Sequence, residues 1–150
     1  MSASAINQSK PESTALTMSL TQGVVAGLVG GSIFGVMMAT MNMLPMVGSM
    51  IGSQSPVVGF IVHMMISAII GGIYGVAAPR LPASWPTAIV AGIVYGILWW
   101  VLGALIIMPL VLGMSQMVLQ IGDPQWMSLI GHIIFGIVTA AFYTLITQRP

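Results

Sequence analysis

Residues 13–79, 81–122 and 124–148 carry no formal charge. Lys10, Glu12, Arg80, Asp123 and Arg149 are the whole complement, 3% of 150 residues, where a soluble domain has about 25%. A domain of this size cannot cover a water-facing surface so sparsely. Lipid is therefore the expected solvent for most of the chain. An apolar share of 57% and a mean hydropathy of +1.05 point the same way. A net charge of +1 leaves no basic patch to neutralise phosphates, which excludes nucleic acid as a partner. The absence of cysteine removes disulfides, thiolate nucleophiles and Cys-ligated metals.

About 20 residues cross a bilayer core as a helix, so the first uncharged run must fold back on itself. The break is legible at Asn42-Met43-Leu44-Pro45, followed by Gly48, Gly52, Ser53, Gln54, Ser55 and Pro56. Four spans are expected, at about 17–44, 57–78, 87–108 and 124–146. They predict an all-α integral membrane four-helix bundle, one membrane domain over residues 16–150. Ser55 and Asp123 each precede a proline and are expected as helix caps. Residues 78–86 read as a short turn with Trp85 at the interface. Residues 1–15 are polar and Ser-rich and read as a disordered cytoplasmic tail, not a cleaved leader.

With four spans, Lys10, Arg80 and Arg149 fall on one side and Asp123 on the other. The positive-inside rule then puts both termini in the cytoplasm, most simply at a bacterial inner membrane, with the 44–56 and 109–123 connections outside. The two halves also resemble each other. Val25-Ala26-Gly27 and Gly31 recur as Val90-Ala91-Gly92 and Gly96, Pro45 as Pro109, and His63 and Tyr74 as His132 and Tyr143. Two spans per copy make a parallel tandem repeat, with a pseudo-twofold axis along the membrane normal.

Small residues recur at a spacing of four: Gly23, Gly27, Gly31 and Gly35, then Gly59, Ser67, Gly71 and Gly75. Gly92 and Gly96 in the third span and Gly136 and Ala140 in the fourth extend the pattern. Such spacing lets helix backbones approach closely in lipid. His63 and His132 interrupt these stripes on the exterior side, and intramembrane ionisable residues are functional candidates. The simpler alternative is an interhelical hydrogen bond for each.

Ten of the fourteen methionines crowd the same level, among them Met41, Met43, Met46, Met64 and Met108. Neutral thioethers and imidazoles suit Cu(I) and need no buried counter-charge, whereas the plainer role for Met is filling irregular gaps. A bis-His haem is the competing cofactor. The exterior side, however, offers no Lys or Arg for its propionates.

Catalytic signatures are missing: there is no nucleophile elbow, Walker loop, zinc-protease helix or carboxylate pair. Ser115, His132 and Asp123 are right in type for a triad but have no motif around them. Carriers usually place ionisable groups near the midplane, where this chain has Trp99 and Trp100. The expected function is a non-enzymatic accessory, assembly or structural subunit of a membrane complex. It would meet lipid and other membrane proteins or its own copies, and could carry an outer His/Met metal site. Alternatives are a Cu(I)- or haem-binding protein and an oligomeric small-solute transporter or channel.

Overall fold

The computed structural model describes residues 3–147, with side-chain surroundings from residue 12 onward. The described residues are helical with no strand. The helices are α1 (Ala3–Thr40), α2 (Leu44–Ser49), α3 (Pro56–Ala77), α4 (Trp85–Trp99), α5 (Met108–Val111) and α6 (Asp123–Thr147). A π-helical stretch, Trp100–Ile107, joins α4 to α5. Four helical runs are long and apolar enough to cross a membrane: Glu12–Thr40, Pro56–Arg80, Trp85–Val111 and Asp123–Thr147. Together they make a four-helix bundle.

Its sidedness suits a lipid solvent. Val57 and Ile69 are 67% and 63% exposed, while Ser67 and Thr139 are 1% and 0% exposed. Polar and small groups turn inward because helices in lipid gain nothing from burying aliphatic chains against each other.

The chain turns where its backbone can enter the left-handed region. α1 stops at Asn42 (φ 54°), where Asn42 N–H donates to Ala39 O and Met43 N–H to Met38 O. The same paired closure follows α2 at Gly52 (φ 77°) and α5 at Gly113 (φ 70°). Each is a Schellman cap, which satisfies orphan carbonyls at a helix end. The expected break at 42–45 is therefore a cap followed by a new short helix, α2, rather than an open loop.

Pro109 explains the π segment. An α-helical carbonyl at Leu105 would accept from residue 109, which has no N–H. Met108 N–H reaches back five residues to Gly103 O, and Leu105 O accepts instead from Leu119 N–H at 3.0 Å. The third crossing accordingly runs on to Val111, beyond its expected end.

Three expectations need correction. Residues 3–15, expected as a disordered tail, continue α1: the helix nucleated in the apolar residues that follow extends over them although Pro11 gives no N–H. Residues 1–2 lie outside the described part. Ser55 precedes α3 but makes no side-chain cap bond; its own N–H donates to Ser53 Oγ, closing a local turn. Asp123 is the first residue of α6, and the side-chain bond at that end is made by Gln125, whose Oε1 accepts from Gly122 N–H. Among the described residues, the N-terminal hydroxyl cap is at Ser84, which accepts from Thr87 N–H.

α1 packs along α3 and α6, and α4 along α6, giving the order α3, α1, α6, α4 across the bundle. α3 and α4 are bridged by a side chain, since Tyr95 Oη donates to Ile70 O at 2.6 Å. That seam between α3 and α4 is where the bundle leaves internal space.

Candidate functional site

Close backbone approach fixes where the site residues lie. A Cβ on Gly27 would meet Ser67 O and Gly71 Cα, and one on Gly23 would meet Gly71 O and Gly75 Cα. On the other pair, a Cβ on Gly92 would meet Gly136 O, and one on Gly96 would meet His132 O. Gly31 faces the Ser67 side chain, and Gly35 faces Phe60 and the edge of His63. Gly59 faces not α1 but α2, against Leu44 O. Ala140 is fully buried with Ala26, Tyr74, Ala88 and Tyr143.

Phe34 is held against Gly131, where no side chain larger than hydrogen would fit. Its ring meets His63 edge-on at 5.3 Å between centroids and His132 at 4.9 Å. His63 is eight residues into α3 and His132 ten into α6, so each lies about 10–14 Å along its helix.

Both imidazoles are oriented by backbone carbonyls. His63 Nε2–H donates to Gly31 O at 2.9 Å, and His132 Nδ1–H donates to Ser128 O at 2.8 Å. A carbonyl can only accept, so each ring must carry its proton at that nitrogen. His63 Nδ1 and His132 Nε2 are left as lone-pair acceptors. Histidines that bind metals are held in this way, with the second nitrogen donating to a carbonyl that sets tautomer and ring orientation.

The two histidines line one cavity of about 330 Å³. Its wall includes Met38, Met43, Met46, Met50 and Met108, with Ser67, Ser128 and Trp99. α2 closes one end with Met46 and Val47, flanked by Met43 and Met50, and the π segment contributes Gly103, Ala104 and Ile107. Met41 and Met64 do not line it; Met64 instead lies beside Gly31. Met38 and Met50 do line it, though neither was among the residues singled out as ligands. Met38 lies three residues before Met41, on the adjoining turn of α1, a placement that helical phase could have suggested.

Among the described residues, no group of three His, Asp or Glu side chains could hold a metal. Any metal bound here would rely on imidazole and thioether. A porphyrin between the two imidazoles would need the space that the Phe34 ring fills. Ser115 and Asp123 are likewise absent from the wall around His132.

No protein-family model, curated protein or solved structure matches the chain.

Proposed function

We propose that the chain is a non-enzymatic polytopic membrane protein, an accessory, assembly or structural subunit that holds Cu(I) in its His/Met cavity. One observation carries this reading: two imidazoles, each with one nitrogen committed to a carbonyl and the other left as a lone pair, share a cavity wall with five methionines. A neutral, soft donor set stabilises a monovalent soft cation without a carboxylate.

The reading includes a parallel tandem repeat. Gly27 opposite Ser67 and Gly92 opposite Gly136 are equivalent pairs under the same sequence correspondence that relates His63 to His132. It also includes an orientation with both termini and the 78–84 turn in the cytoplasm, which puts the His/Met cavity in the outer half of a bacterial inner membrane. The exposed aliphatic faces would meet lipid, other membrane proteins or further copies of the chain.

The test is metal analysis after exposure of the purified protein to Cu(I) under reducing conditions. Equimolar copper that survives desalting supports the proposal. Copper lost equally from wild type and from a His63→Leu, His132→Leu double variant overturns it.

A further inference from the structure

A second cavity, of about 310 Å³, lies at the opposite end of the bundle, beneath the 78–84 turn. Helices α1, α3, α4 and α6 all reach it, through Ser19 and Gln22, Tyr74, Thr87, and Tyr143 and Thr144 respectively. Its volume is at the low end of small-ligand sites. Its lining differs from that of the His/Met cavity in having many hydroxyls and no thioether or imidazole.

Several of its polar groups have no protein partner. Tyr143 Oη donates to Gly75 O and Thr87 Oγ1 pairs with Ser84 Oγ, but among the described residues the hydroxyls of Ser19, Tyr74 and Thr144 and the amide of Gln22 have no hydrogen-bond partner. Tyr74 is the most telling of these, being only 4% exposed with its hydroxyl left unbonded at the cavity. A hydroxyl that faces a cavity without a protein partner is satisfied only when something polar fills that cavity.

The chemistry of the lining narrows what that is. Among the described residues no Lys, Arg, Asp or Glu lines the cavity; Arg80, on the adjacent turn, donates a guanidinium N–H to Val76 O. Neither an anion nor a cation would find a counter-charge in that lining. Hydroxyls and a primary amide both donate and accept, so they suit a ligand whose groups do the same. Tyr74 and Tyr143 meet edge to face, 5.7 Å between centroids and 83° between planes. They form an aromatic corner against which an apolar ring face can rest.

The geometry points to a binding site for an uncharged polyhydroxyl ring, a sugar moiety, either free or as the headgroup of a neutral glycolipid. Water alone could satisfy the hydroxyls, but the aromatic corner offers it no hydrogen bond. This site is independent of the proposed copper site, and either could fail without the other.

The probes are methyl β-glucoside and monoglucosyl diacylglycerol, with diacylglycerol and phosphatidylglycerol for comparison. Binding is read by native mass spectrometry on protein purified in a detergent that contains no sugar. A glucosyl probe should be retained over both comparison lipids, and Tyr74→Phe or Gln22→Leu should weaken it about ten-fold, the loss of one good hydrogen bond. Tyr74→Phe removes a hydroxyl that no described residue bonds, so its melting temperature without probe should be no lower than that of wild type. Retention of the glucolipid alone identifies a headgroup site, and equal retention of the free glucoside identifies a soluble sugar. The inference is overturned if neither glucosyl probe exceeds diacylglycerol, or if both variants bind as wild type does.

Discussion

Gly59 of α3 lies directly beneath the carbonyl of Leu44 in α2, so close that a Cβ at position 59 would collide with that oxygen. This contact seats α2 across the end of the His/Met cavity. Gly59→Val should lift α2 and destabilise the protein by about 1–3 kcal/mol, the usual cost of overpacking. Gly103→Ala is the matched comparison, since a Cβ there meets nothing within 4 Å. Thermal unfolding in detergent should separate the two. Equal melting of both variants would show that α2 is not held at Gly59.

Deeper in the bundle, Gly31 meets the Ser67 side chain and Gly71 meets Gly23 and Gly27. Gly31→Ile and Gly71→Ile would each force α1 and α3 apart, at an expected cost of a few kcal/mol. An isoleucine at Val25 or Val90, both exposed, should leave unfolding unchanged. Wild-type melting of both glycine variants would mean that the α1–α3 contact contributes little.

These contacts bear on how much of the molecule could be read from its residues. Five charges and a proline-marked break are enough to number the crossings, because lipid tolerates little besides apolar helices. Residues with their own geometric signal were also legible, Asn42 and Gly52 among them. The π segment was not, because it depends on Leu119 returning to a carbonyl that Pro109 leaves open. Nor was the placement of Phe34 against Gly131, a contact across nearly a hundred residues with no periodic mark. Of the expected thioethers, Met43, Met46 and Met108 reach the cavity while Met41 and Met64 do not. Sequence gives their level along the helix but not their angle around it.

The histidines allow a graded test of the copper proposal. His63→Leu and His132→Leu should each abolish Cu(I) retention, and the double variant should lose little more, as for groups acting together. Each single change also breaks one carbonyl bond, within one helix for His132 and between helices for His63. The interhelical bond is worth about 0.6–2 kcal/mol, so His63→Leu should lower stability modestly even without metal. Copper retained by both single variants would assign binding to thioethers alone.

Because the chain lacks cysteine, single introduced thiols report its orientation. Cysteines at positions 5, 82 and 148 should be protected from an impermeant thiol reagent in intact cells, while those at 52 and 122 should react. Labelling at 82 but not at 52 would invert the proposed orientation and put the His/Met cavity in the cytoplasmic half.

The helix order across the bundle also governs when the molecule is finished during its synthesis. α1 can dock on α3 once the first half of the chain has emerged, yet its other face, with Gly30 and Phe34, waits for Phe135 and Gly131 on α6. That partner is the last helix described. His132, Ser128 and Phe135 arrive with it, so the His/Met cavity has no closed wall until α6 has been made. A nascent or truncated chain would present a half-built cleft to the bilayer, with His63 in place and its counterpart missing.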